Sequence, residues 1–359
     1  TALCALAASP TLAGGWETGK LDTSFLYEDG NYVELSYGRL DYSLRGAMET
    51  AGSSVGTHQM AKDQTRLAIS GKLKLGTFDI GLTSFGSGAI QMDGQNAGTP
   101  TLVPSGDVKI NTQAIVARYA VNDNFSVSAG LREVSLKSST LTSVKTDYAV
   151  NSASKRGMVY GISYEIPEIA LRAELLQSEA MIMGLSGTAA GGQLPLTDST
   201  LGIPEATTIK FQTGIAEDTL IMASAHKVKW SSSQVDVKVA GYIDSNGVNP
   251  STFLDQPSAF SDSTMYSLGL GRKLTESTSA SLNYSWEKGS GSTSTSPFTM
   301  SNGSKTLSLG VQHKIEALTI SGGLSYTKTG DVVTSSAPFS ASYTGNSVTA
   351  LGLKVGYNF

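Results

Sequence analysis

The sequence predicts an all-β fold: a transmembrane antiparallel β-barrel of about 14 strands, preceded by a short plug-like N-terminal segment. Three observations carry that reading. Stretches of about ten residues alternate apolar and polar side chains, short turns alternate with long polar loops, and the final strand ends in an aromatic residue. Composition agrees, since only 16% of the 359 residues are charged and 39 are glycine against 10 proline, which excludes a collagen-like or conventionally disordered chain.

The chain opens on a run of small and apolar residues, 1–13, that reads as the end of a secretory signal peptide. Thr11 and Ala13 occupy the two positions where a signal peptidase needs small side chains, which predicts cleavage before Gly14. Cys4 follows Leu3 rather than a small residue, so a lipid-anchoring reading is disfavoured. Beyond residue 13 no apolar run reaches the roughly 18 residues that a membrane-spanning helix needs, so any crossing must use strands. Residues 14–30 are then an N-terminal periplasmic or plug segment, and 31–359 the barrel.

The alternation begins with Val33, Leu35 and Tyr37 against Glu34 and Ser36. It continues with Leu67, Ile69 and Leu73 against Arg66, Ser70 and Lys72, then Met158, Tyr160, Ile162 and Tyr164 against Gly161, Ser163 and Glu165. Later, Ala280, Leu282, Tyr284 and Trp286 oppose Ser281, Asn283, Ser285 and Glu287. Stretches 306–315 and 318–327 divide in the same way. A soluble β-sandwich also alternates, but with shorter strands and a lysine-rich polar face, whereas here that face is largely Gly and Ser.

Short turns are expected near 75–76, 121–124, 166–168, 216–218, 274–277 and 315–317. Long Gly/Ser/Thr/Asn-rich loops are expected near 47–62, 92–105, 139–153, 182–203, 232–262, 289–303 and 329–345. Six turns and seven loops in strict alternation give 14 strands with both termini at the turn end. In the last strand Thr349, Leu351, Leu353, Val355, Tyr357 and the terminal Phe359 alternate with Ala350, Gly352, Lys354, Gly356 and Asn358. Such an ending resembles the signal read by the barrel-assembly machinery, which makes Phe359 the expected contact, outer-membrane lipid a partner and the bacterial outer membrane the location.

Several function classes are excluded or disfavoured. A formal net charge of −4 with interspersed signs offers no cationic face for nucleic acid. One cysteine and three histidines, His58, His226 and His313, cannot build a Cys/His metal cluster, and no metal or other cofactor is expected. No nucleophile-elbow, phosphate-loop or dinucleotide motif occurs, so no catalytic residues are assigned. An outer-membrane hydrolase would need a histidine beside a nucleophile, yet His313 reads as lipid-facing, His58 as a loop residue and His226 as interfacial packing among Met222, Val228 and Trp230.

The stretch Gly30-Asn-Tyr-Val-Glu-Leu-Ser-Tyr-Gly38 as a first strand, and Leu201-Gly-Ile-Pro-Glu205 leading through a short turn to Trp230, resemble the FadL/OmpP1 family of hydrophobic-compound transporters. Fourteen strands agree with that family. The resemblance covers the layout of nearly the whole mature chain, although only about 16 residues precede the first strand, too few for the full hatch of longer members. It implies passive uptake of hydrophobic compounds such as long-chain fatty acids, with lateral release through a gap in the wall. The alternative is a hydrophilic diffusion porin, but about 14 strands is fewer than the 16 to 18 of porins.

The residues can be searched for each part of that route. On strand three Phe78, Ile80 and Leu82 face lipid, after which the same face reads Ser84, Gly86 and Gly88 while Phe85 turns to the lumen. Glycine removes side-chain packing and permits a bulge, so Gly86 and Gly88 are the expected lateral opening. Phe85 is an expected substrate contact, as are Phe25 and Tyr27 of the N-terminal segment. Met181, Met183 and Leu185 open a long loop and could line an adaptable capture surface. Glu34, Arg66, Arg118, Arg132, Glu165, Arg172, Glu174, Lys210 and Glu287 are expected to point into the lumen and interlock by charge.

Overall fold

The structure, a computed structural model, describes residues 17–18, 20–94, 103–142, 146–241, 252–255 and 258–359. The expected signal-peptide remnant, its cleavage site and residues 14–16 lie outside them. Fourteen strands form the wall: β1 Tyr32–Ser43, β2 Gln64–Leu75, β3 Phe78–Met92, β4 Ser105–Ala120, β5 Phe125–Leu136, β6 Ala153–Ile166 and β7 Leu171–Ser178, then β8 Ala206–Ala216, β9 Thr219–Val228, β10 Ser263–Lys273, β11 Thr278–Glu287, β12 Ser304–Ile315, β13 Leu318–Thr329 and β14 Ser347–Asn358. Each pairs antiparallel with its sequence neighbours, and β14 returns to β1 in register from Tyr32↔Asn358 to Ser43↔Ser347, so the sheet closes. Closure gives every wall strand a partner on both sides, as a bilayer requires of strands.

Alternation sets the two faces. Leu67, Leu82, Leu309 and Leu324 are each more than half exposed on the outside, part of an apolar belt around the whole wall. An exposed apolar surface of that extent is stable only against lipid. Aromatic pairs border the belt, Phe78 with Tyr119 (centroids 4.8 Å apart) and Tyr357 with Phe359 (6.3 Å) at the turn end, Tyr266 with Trp286 (5.5 Å) at the loop end. Inside, hydroxyls pair directly across strands: Ser70 with Thr83 at 3.0 Å, Ser224 with Ser267 at 2.8 Å and Thr306 with Thr327 at 2.8 Å. Each such pair gives two inward hydroxyls a partner across the strand seam.

The six short turns fall where the sequence places them, and Gly76 adopts a φ of 65°, the left-handed conformation that a tight hairpin needs. The seven long connections carry more structure than their composition suggests. Met181–Leu185, Ser199–Ile203, Val235–Ala240 and Thr252–Asp255 make a four-stranded sheet, and a five-stranded one joins Arg45–Thr50, Ser53–Gln59, Thr293–Ser294, Val332–Ser336 and Phe339–Tyr343. Their inner faces, including Met183, Leu201, Val239, Phe339 and Tyr343, form one buried core with Val108, Ile110, Val134, Leu136 and Val228 from the loop ends of the barrel strands.

That core corrects the expected capture surface. Met181 and Met183 are buried and Leu185 is partly so, because this stretch is a strand whose period of two turns both methionines inward and leaves Ile182 exposed. Met183→Asp should therefore open the loop sheets at a cost of ~3–5 kcal/mol, since it buries an unpaired charge at a filled core position. Limited proteolysis should then cut the loops while the wall strands stay protected. Loops as resistant as wild type would refute this placement.

Candidate functional site

The N-terminal segment lies against the inner wall at the turn end. Its single 3-10 turn, Ser24–Tyr27, starts where Asp22 accepts hydrogen bonds from the Ser24 amide (3.2 Å) and hydroxyl (2.7 Å). Leu21, Phe25 and Leu26 are buried with Tyr32 against Ala114, Val116, Val159 and Leu176, and Tyr27 and Phe85 pack alongside. Gly81 of β3 makes the close fit possible, since a Cβ there would run into Leu26 and Phe25.

Polar contacts tie the same segment down. The Thr23 hydroxyl donates to Glu174 Oε1 at 2.6 Å and the Tyr27 hydroxyl to the same oxygen at 3.2 Å. Lys210 Nζ donates to Asp22 Oδ1 at 2.9 Å and lies 3.3 Å from Glu174 Oε2. The Arg118 and Arg172 guanidiniums sit over the Tyr27 ring at 4.6 and 4.2 Å from its centroid. Burial, reinforced by the Glu174 charge, pushes the Tyr27 phenol far above its ordinary range, so it remains a neutral donor at any physiological pH.

A second cluster braces the wall below. Arg118 bonds Asp79 at 3.0 Å and also pairs with Glu165, while Lys72 lies 3.6 Å from Asp79 and donates to the Leu26 carbonyl at 3.4 Å. On the other side Lys354 pairs with Glu34 at 3.1 Å. Removing one member would strand a buried charge, so the clusters hold this geometry even though each charge is costly to bury.

Above the segment lies a cavity of about 340 Å³ whose wall includes Glu34, Arg66, Phe85, Lys210, His226 and Lys354. His226 is not interfacial packing: its register opposite Thr208 and Met265 turns it to the lumen, buried, with Nδ1 2.8 Å from the Thr208 hydroxyl. Its apolar chain neighbours do not carry the strand parity that decides this.

Beside the cavity the wall changes. Strands β2 and β3 pair from Leu75↔Phe78 only as far as Ala68↔Phe85. Residues 64–67 of β2 still pair with β1, and β3 still pairs with β4, but across the β2/β3 seam the next contact is the bridge Ala61↔Met92. Between the two lies an unpaired window. The β3/β4 register shifts between Gly86 and Gly88, a bulge at Ser87 whose hydroxyl accepts from Thr112 at 2.7 Å. The edge of β3 left free by β2 is taken at Gly88 and Ala89 by the two residues Glu17–Thr18.

The expected site residues thus separate into groups. Gly86 and Gly88 both border the window, and Phe85 is the last paired residue at its lower edge. Gly88 does not share the outer face with Gly86, because the bulge shifts it by one residue to pair with Ile110, an inward position. Phe25 and Tyr27 belong to the N-terminal segment, away from Met181, Met183 and Leu185 in the loop core. The β2 side of the window and the Glu17–Thr18 pairing escaped the sequence reading, since neither leaves a mark in periodicity.

No protein-family model and no curated protein sequence matches this chain. Solved structures do. The toluene transporter TodX of Pseudomonas putida superposes with a TM-score of 0.61 at 14% identity, over 97% of this chain and 96% of that one. The toluene transporter TbuX of Ralstonia pickettii gives 0.62 at 15%, over 93% and 90%. The monoaromatic hydrocarbon channel CymD gives 0.60 at 12%, over 92% and 89%. This chain has their fold. The architecture implied by the resemblance to the FadL/OmpP1 family, a closed 14-stranded barrel of the outer-membrane type, is the architecture found.

Proposed function

We propose that the protein is an outer-membrane channel for the passive uptake of hydrophobic small molecules, which leave the lumen sideways through the β2/β3 window. The observation that carries this reading is the unpaired seam between Ala68↔Phe85 and Ala61↔Met92, bordering a cavity whose wall includes Phe85, Gly86, Arg66 and Ala68. Exit there delivers an apolar solute straight into the bilayer. Glu17–Thr18, bound to the window edge by only two residue pairs, is the element that must yield as it passes.

About 340 Å³ lies within the size range of small-ligand sites and exceeds the roughly 150 Å³ that holds benzene. A monoaromatic hydrocarbon is accordingly the first substrate class, in keeping with the toluene transporters and the monoaromatic hydrocarbon channel that share the fold, and long-chain fatty acids are the second. A hydrophilic porin is disfavoured because the N-terminal segment fills the turn end and the luminal charges there pair with one another. Phe359, exposed and stacked on Tyr357, is the proposed contact for barrel assembly.

Cells differing only in this protein should take up labelled toluene faster when they carry it, with labelled oleate as the second arm. Proteoliposomes should swell little in small sugars. Swelling without uptake of either compound would replace this reading with a hydrophilic porin.

A further inference from the structure

The outer surface of the barrel carries an unbalanced arc of lysines at its loop end. Lys305 of β12 faces outward, directly opposite Trp286 of β11 on one side and Lys328 of β13 on the other. Lys227 near the end of β9 and Lys288 just past β11 are exposed at the same rim. Below them the Tyr284 and Tyr266 rings stack on Trp286, with centroids 5.8 and 5.5 Å away, and Leu307, Leu309 and Leu324 begin the lipid belt.

Two like charges in directly opposed cross-strand positions repel, and a sheet ordinarily avoids them. Elsewhere at this rim several cations have acidic partners: Arg39 with Asp41 at 2.7 Å, Lys109 with Asp107 at 3.4 Å, Arg156 with Glu133 at 2.5 Å and Lys229 with Glu205 at 2.9 Å. Among the described residues Lys227, Lys288, Lys305 and Lys328 form no ion pair. Asp262, held by the Ser231 amide at 2.9 Å and hydroxyl at 2.7 Å, together with Glu205 partly balances Lys227, which leaves Lys288 and the opposed pair Lys305 and Lys328 as the uncompensated members of the arc.

We propose that this arc, four lysines above the Tyr266–Trp286–Tyr284 stack on β9 to β13, binds the phosphorylated head group of an outer-leaflet lipid. The phosphates would neutralise the opposed lysines, and the acyl chains would lie against the aromatic stack and the leucines beneath. This goes beyond the uptake reading and shares with it only the outer-membrane setting.

Binding can be read on the detergent-solubilised barrel without any transport. Native mass spectrometry should show bisphosphorylated lipid A retained by the wild type and bound roughly thirtyfold more weakly by the K305Q/K328Q variant, two surface lysines being lost. Both substitutions are exposed and relieve repulsion, so folding is preserved, as a heat-modifiability shift on gels verifies. K109Q, which removes a paired lysine, should bind like wild type, and dephosphorylated lipid A should not distinguish the proteins. Equal binding by wild type and K305Q/K328Q, equal loss with K109Q, or inorganic phosphate competing as strongly as the lipid would each overturn the proposal.

Discussion

Gly86→Trp is expected to lower uptake of the apolar substrate by roughly tenfold or more, a barrier of ~1.4 kcal/mol, while leaving assembly intact. Gly86 pairs with Asn111 on the outer face, and a Cβ there would meet only Asn111 Oδ1, at 3.9 Å, an ordinary contact. Its backbone is not left-handed, so a side chain introduces no strain. An indole at this position lies across the unpaired seam toward β2, on a surface that already suits aromatic residues. Leu309→Trp, on the lipid face of β12 far around the ring, is the control that should leave uptake unchanged. Wild-type uptake by folded Gly86→Trp barrels would remove the window from the transport route.

The wall was legible because its physics is periodic. Side chains of a strand alternate every residue, and a closed barrel must alternate turns with loops, so strand count, closure and the lipid or lumen side of most residues follow from residue order alone. Failures occurred where a contact depends on register between distant segments. Strict alternation places Gly88 on the lipid face, but a bulge adds one residue to β3 and turns it inward, and a single sequence does not reveal where pairing slips. Met181 and Met183 resemble loop residues in sequence because the Gly-rich stretch after them masks the short strand they belong to, which pairs with Ser199–Ile203. The chain neighbours of His226 are apolar, and only its pairing with Thr208 across β8 sets it on the lumen face with Lys210. The luminal charges were identifiable one by one, but which pairs form, such as Arg118 with Asp79 and Lys210 with Glu174, is set by the closed ring.

The N-terminal segment is expected to be the element that keeps the barrel closed to water, and loosening it should raise conductance. Two kinds of attachment hold it. Phe25 and Leu26 are almost fully buried, worth ~1.5–3 kcal/mol each, and Glu174 accepts from Thr23 and Tyr27 while balancing Lys210, worth ~3–5 kcal/mol if broken. Because the two are comparable, Glu174→Ala alone should loosen the segment without releasing it. Gly81→Val attacks the apolar half: its side chain would occupy the place of the Leu26 and Phe25 tips, and valine suits a strand, so the wall itself is not weakened. The double variant should therefore swell proteoliposomes in small sugars and conduct ions steadily in planar bilayers, with each single variant intermediate. Glu174→Ala should also free the Tyr27 ring from its place between Arg118 and Arg172, which makes the segment accessible to protease from the turn end. Folded double-variant barrels that neither swell nor conduct would mean that the loop core at the other end, around Val239 and Tyr343, closes the lumen by itself.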